Sequence, residues 1–258
     1  MRLALGVEYD GSTFCGWQFQ DHSPSVQAVV ENALTKVANT PVRVHCAGRT
    51  DTGVHATGQV IHFDTDVVRS ERSWVHGANA NLPKEVAILW AKPVDESFHA
   101  RFSATHRRYR YVIFNRSIRP TFLAIRTSWC HRPLDEVRMQ TAANYLIGEH
   151  NFNSYRAVAC QAKSPVRTVS RLDVTRNGEF IYLDIEANAF LHHMVRNIAG
   201  VLMEIGRGEQ APEWTREILD HQDRTRGGIT APPHGLYLTE VDYPDQYKLP
   251  LPGSMPWY

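Results

Sequence analysis

Asn177-Gly178 sits between two runs that read as strands, 166–175 and 179–187. An Asn-Gly pair takes up the left-handed backbone of a two-residue turn, so the runs fold back as an antiparallel hairpin. Around this fixed point the other elements follow from periodicity. Leu3, Leu5, Val7 and Tyr9 alternate with smaller or polar residues, which predicts a strand. Ser23-Pro24 offers a cap and a first-turn proline, and Val26, Val29, Val30, Ala33, Leu34 and Val37 follow at helical spacing, so a helix is expected over 24–38. Residues 42–46 and 58–63 read as hairpin partners, and 86–92 as a further strand. In the strand 108–115, Tyr109, Tyr111 and Ile113 share one face while Arg110, Val112 and Phe114 share the other. Leu134 to Ile147 reads as a helix capped by Asp135 and stopped by Gly148. Residues 189–206 carry a helical stripe from Leu191 to Ile205. Strands and helices mix without strict βα alternation, so the expected class is α+β. The best boundary lies near 95–106, dividing the chain into 1–105, 106–245 and a Pro-rich tail over 246–258.

The chain has 258 residues, of which 43% are hydrophobic and 21% charged, enough to bury a sizeable core. No run has the length of a signal peptide's apolar segment or of a membrane span, so no membrane association is expected. Cys15, Cys46, Cys130 and Cys160 show no pair spacing, which argues for a reducing cytoplasm. Net charge is only +1, but its distribution is uneven. Between Ser97 and Leu134 there are eight arginines, seven aromatics and no acidic residue. A solvated basic face is one reading of that run. Arginine interleaved with aromatic rings favours a polyanion with stacking bases.

The stretch CAGRTDTGVHATGQVIHF, residues 46–63, sets Asp51 beside Arg49 between Gly48 and Gly53. Three readings compete. Asp51 can bond local amides in a plain tight turn. Asp51-Thr52-Gly53 matches the aspartic-protease triplet, but that chemistry needs a carboxyl that resists ionisation, and Arg49 favours the ionised form. The third reading is a carboxylate kept ionised as a nucleophile. The histidines nearby, His45, His55 and His62 with Cys46, and the pair His192-His193, fit no zinc spacing, and no metal is expected.

GRTDTGVHATGQV at 48–60 resembles the catalytic loop of the TruA-type pseudouridine synthases. EYDGSTFCGWQ at 8–18, SVQ at 25–27, NANLP at 79–83, FHARFSA at 98–104, RRYRY at 107–111, FNSYRA at 152–157, NAFLHHMVRN at 188–197 and GLYL at 235–238 resemble further blocks of that family, in order. Thr52 stands where the family usually has Ala.

The resemblance implies two ferredoxin-like (RRM-like) halves that share a mixed, mainly antiparallel sheet with helices packed on it, and an active-site cleft between them. It implies an isomerase that converts uridine to pseudouridine at nucleotides 38, 39 and 40 of the tRNA anticodon stem-loop. It also implies a flipped-out target base, no cofactor and a homodimer. Asp51 matches the catalytic aspartate, Tyr109 the active-site tyrosine, and Arg196 the arginine that pairs with the aspartate. Attack at sugar C1′, attack at base C6, and removal of a sugar proton all stay open as its first step. Arg49 matches the arginine that helps extrude the base, and Phe98, His99, Ala100, Arg101 and Phe102 match a segment lining the RNA groove. Arg69, Cys160, Gln161 and Lys163 are further candidates for backbone contacts. A catalytically inert RNA-binding protein is the rival from another class.

Overall fold

The structure is a computed structural model that describes residues 1–250. Of the tail expected over 246–258, residues 251–258 lie outside the described residues. The chain divides into two compact units. One comprises Met1–Thr105 with the chain from Tyr237 onward, and the other His106–Leu236.

The first unit runs β1 (Arg2–Tyr9), α1 (Val26–Ala38), β2 (His45–Cys46), β3 (His55–Asp64), α2 (Glu71–Asn79) and β4 (Val86–Val94). Its sheet order is β4-β1-β3, with β2 on β3, and all these pairs are antiparallel. That connectivity is ferredoxin-like. Leu3 and Leu5 lie opposite Phe63 and Ile61. Phe63 meets Trp74 of α2 edge-on at 5.3 Å, so this face carries the helical layer. On the neighbouring position Gly6 pairs with Trp90, and a Cβ there would come within 2.1 Å of the indole Nε1. The chain returns late as β10 (Leu236–Asp242), which joins β3 in parallel at Tyr237–His55 and Leu238–Ala56.

The second unit holds β5 (His106–Asn115), β6 (Ser128–Cys130), α3 (Glu136–Ala143), β7 (Gly148–Asn151), β8 (Val166–Asn177), β9 (Phe180–Ala187), α4 (Met194–Gly206) and α5 (Trp214–His221). Its strands lie in the order β5-β9-β8-β7, all antiparallel, with short β6 parallel to β5. The expected hairpin is β8–β9, and Gly178 in its turn has φ 59°. Helix α4 is buried over nearly its whole length, and α3 joins it where Asp135 N donates to Gly206 O at 2.9 Å. The α+β class with a mainly antiparallel sheet therefore holds in both units. No helix of the described residues is long and apolar enough to cross a membrane.

Several boundaries differ from expectation. Helix α1 starts at Val26 and is capped by Ser25, not Ser23. The amides of Val26 and Gln27 bond back to Gly16 O and Trp17 O, which fixes the start. Residues 42–44 are not strand, and β2 is only His45–Cys46. Helix α3 gives way at Asn144 to a 3-10 turn. Helix α4 begins at Met194 rather than near 189, because His193 takes a left-handed backbone with φ 62°. His192 and His193 thus precede the helix, and their ring centroids are 4.1 Å apart. Helix α2 was not expected from periodicity; only Trp74 and Ala78 of it are buried.

Two glycines separate backbone conformation from close approach. Gly178 has positive φ and open space around it, whereas a Cβ on Gly58 would lie 2.0 Å from Thr239 O. Gly178→Ala should lower stability by about 1–2 kcal/mol, and Gly58→Ala by about 3 kcal/mol or more. Urea unfolding of the two variants checks the order.

Candidate active site

The loop that carries Asp51 is fixed by its backbone on both sides. Gln59 of β3 is fully buried, and its side-chain amide donates to Gly48 O at 2.7 Å and accepts from Gly48 N at 3.4 Å. A buried amide must be bonded, so the pairing holds Gly48 in one place. Tyr9 OH lies 2.8 Å from Thr50 Oγ1, and Thr50 is buried. The segment after β1 closes the other side. Trp17 N donates to Thr50 O at 3.0 Å and Gly53 N to Phe14 O at 3.4 Å. Gly16 has φ 88°, and a Cβ there would meet Thr50 O at 2.6 Å, so only glycine allows this approach. Gly53 turns the chain with φ 76°. Thr50 is therefore the anchored residue, while its neighbours Arg49 and Asp51 are exposed and half-buried. A half-buried carboxylate on a rigid loop suits attack on a positioned substrate.

Beside this loop, Asp10 Oδ1 lies 3.2 Å from His55 Nδ1 and accepts from Ser12 N at 3.0 Å. The hydrogen bond with His55, followed by those from Ser12, holds the Asp10 carboxyl well below the usual carboxylate range against its burial. His55 is stacked on Tyr237 at 4.7 Å. Burial pushes the Cys46 thiol up to about 12 although the charges of Arg49 and Arg101 oppose it. Cys46 is thus no thiolate at neutral pH, and the charges of Arg49 and Arg101 are both felt there.

The segment 98–102 is held from below. Arg2 pairs with both carboxylate oxygens of Asp64 at 2.8 Å and donates to Phe98 O at 2.8 Å. Phe98 lies between the rings of Tyr243 and Tyr247, each at 5.0 Å. Ala100 N donates to His62 Nδ1 at 3.1 Å, and Tyr243 OH to Ala100 O at 2.6 Å. Burial, helped by His99 and His45, lowers His62 to about 3, so its ring stays a neutral acceptor. Phe98 and Ala100 are interior residues that shape the segment. His99, Arg101 and Phe102 form its accessible surface; Phe102 is 76% exposed, with the Arg101 guanidinium 5.5 Å from its ring centre. Arg69 stands apart before α2, its guanidinium donating to Val68 O at 3.3 Å. It follows the far end of β3 from the Asp51 loop, roughly 30 Å along the strand.

In the second unit Tyr109 lies on β5 opposite Ile185, its ring edge-on to Phe190 at 4.9 Å. Tyr111, two residues on, is fully buried, with its hydroxyl donating to Pro232 O at 2.8 Å. Burial raises its phenol, and the nearby charge of Arg196 opposes that. Arg196 on the first turn of α4 is half-buried and donates from Nε to Ala231 O at 2.9 Å. Tyr109 shares a face of β5 with Tyr111, and Arg196 and Tyr111 bond the successive carbonyls of Ala231 and Pro232. Cys160 is half-buried, while Gln161 and Lys163 are exposed. Their loop is tied to the entry of α4 where Ala157 N donates to His192 O at 2.8 Å.

Residues that position the loop, namely Tyr9, Gly16, Thr50 and Gln59, were not singled out by sequence reasoning. The only signal for them is their place inside the motif blocks 8–18 and 48–60.

A family pattern described as tRNA pseudouridine synthase matches residues 6–103 and 142–244. A protein named tRNA pseudouridine synthase A from Nitrosococcus oceani is 61% identical over 250 residues, covering 97% of this chain and 96% of its own. Proteins of that name from Shewanella woodyi and Coxiella burnetii are 58% and 55% identical, covering 97% and 96% of this chain and 96% and 95% of theirs.

Because the folded carboxyl of Asp10 titrates below its unfolded value, its stabilisation is full above about pH 4 and is lost as pH falls through the folded value. Asp10→Asn should cost about 1.5 kcal/mol at pH 7. The gap to wild type should narrow steadily below pH 4, as read by denaturant unfolding at several pH values.

Proposed function

The chain belongs to the family of tRNA pseudouridine synthases, and we infer from that membership that it isomerises uridine to pseudouridine in tRNA. The reaction breaks the bond between sugar C1′ and uracil N1 and makes one between C1′ and C5. C5 loses a proton and N1 gains one. Substrate and product have the same formula, with no net oxidation or reduction, and we propose that neither a metal ion nor an organic cofactor takes part.

Asp51 is the carboxylate that acts on the target nucleotide. The observation that carries this assignment is the clamp on its loop by Gln59, Gly16 and Trp17, which leaves Asp51 half-buried beside exposed Arg49. A plain turn would not need a fully buried glutamine and a positive-φ glycine from another segment to hold it. Arg49 assists extrusion of the base, and the ring of Tyr109 replaces the stacking that a flipped uracil loses. Arg196 is the arginine that pairs with the carboxylate. Arg101 and Phe102 meet the RNA alongside, and Arg69, His99, Cys160, Gln161 and Lys163 contribute contacts to its backbone. Phe98 and Ala100 act by shaping that surface. The targets are uridines 38, 39 and 40 of the anticodon stem-loop, gripped by a homodimer. A tRNA substrate and four free cysteines support a cytoplasmic location.

Pseudouridine mapping on an unmodified tRNA with uridines at those positions tests the reading. Wild type should convert them, while Asp51→Ala should bind the tRNA but lose at least about 10³-fold in rate. Binding without conversion by wild type would leave an RNA-binding protein. An active Asp51→Ala would move the catalytic role elsewhere.

A further inference from the structure

The connection from β5 to β6 is a rigid loop that displays an aromatic ring to solvent. Most arginines of the run between Ser97 and Leu134 are engaged by the fold. Arg107 is buried and donates to Asn188 O at 3.0 Å. Arg108 and Arg110 pair across the strand with Glu186 and Asp184 at 2.5 and 2.7 Å. Arg132 pairs with Glu209. Arg116 reaches Glu179 at 3.5 Å, covers the Phe114 ring at 4.5 Å, and donates to Ile118 O at 2.9 Å. Trp129 Nε1 donates to Arg116 O at 2.9 Å, and the backbone N and Oγ1 of Thr127 both reach Leu123 O at 3.0 Å. Pro120 is buried. Held at both ends, the loop leaves Phe122 94% exposed, with exposed Arg119 three positions before it. Arg119 has no ion pair among the described residues.

We propose that this tip is a second contact for the substrate RNA, with Phe122 stacking on an unpaired base and Arg119 on a neighbouring phosphate. It deepens the reading above and rests on tRNA being the substrate. A preformed loop is suited to this because little ordering is lost on binding. Tyr109 lies six residues before the end of β5 at Asn115, roughly 20 Å along the strand, and the loop tip lies beyond that end, so the contact falls outside the target nucleotide. The charge pattern selects RNA over a second copy of the chain. Within the loop itself, 116–127, every charged residue is an arginine, which suits a polyanion better than a second copy of the loop.

Phe122→Ala and Arg119→Gln are tested by tRNA anisotropy titration, steady-state kinetics, thermal melting and sedimentation. Phe122→Ala should raise Kd and KM about 5- to 30-fold, with kcat within about twofold and melting unchanged. Arg119→Gln should flatten the slope of log Kd against log salt by roughly 0.7–0.9. Wild-type Kd and KM in both variants, with wild-type enzyme active, would overturn the proposal. A loss of self-association in Phe122→Ala would also overturn it and make the loop a protein contact. If wild-type enzyme makes no pseudouridine, the functional reading fails separately, and Kd alone still decides whether the loop binds RNA.

Discussion

A buried amide that must be bonded governs the geometry around Asp51. Gln59 is fully buried, and both ends of its side chain go to Gly48. That constraint fixes where the strand β3 ends its influence and the loop begins. Thr50 is then caught between Tyr9 and the Gly16-Trp17 segment, and Asp51 has little freedom left. Orientation of this kind lowers a reaction barrier without any change in the nucleophile's intrinsic strength.

Arginine is used in two ways in this chain. Cross-strand pairs such as Arg110 with Asp184 lock neighbouring strands in register, and the guanidinium also covers the Tyr182 ring at 5.1 Å. Arg2 ties Asp64 to the backbone of Phe98 and so supports the segment that displays Arg101 and Phe102. Exposed arginines stand on surfaces built by these internal ones. Net charge near zero is compatible with polyanion binding for this reason: Glu186, Asp184, Glu179 and Glu209 pair with Arg108, Arg110, Arg116 and Arg132, while Arg101 and Arg119 stay exposed.

Local signals in the sequence were legible where a single element decides the structure. Asn177-Gly178 located the β8–β9 turn, Leu3 to Tyr9 located β1, and Asp135 capped α3 by accepting from the amides of Val137 and Arg138. Signals that depend on distant partners were not. Short α2 has too few buried positions to show a stripe, and the apolar run from Leu191 concealed the left-handed break at His193. Eight arginines read as one basic face, because their carboxylate partners lie 74 and 78 positions away for Arg110 and Arg108. The motif around Asp51 was visible; the residues that brace it were not, since Tyr9 and Gln59 meet only once β1 and β3 are paired.

The first unit is written in two pieces, with the second unit inserted between them in the chain. Strand β10 and the rings of Tyr243 and Tyr247 are made after everything else the first unit contains. During synthesis β1 to β4 can assemble early, yet Phe98 lacks both flanking rings until nearly the whole chain has emerged. The second unit has a continuous segment and no such wait. Maturation of the surface around Arg101 and Phe102 is thereby tied to synthesis of Tyr243 and Tyr247, so a chain not yet extended past them lacks two of the supports that shape it.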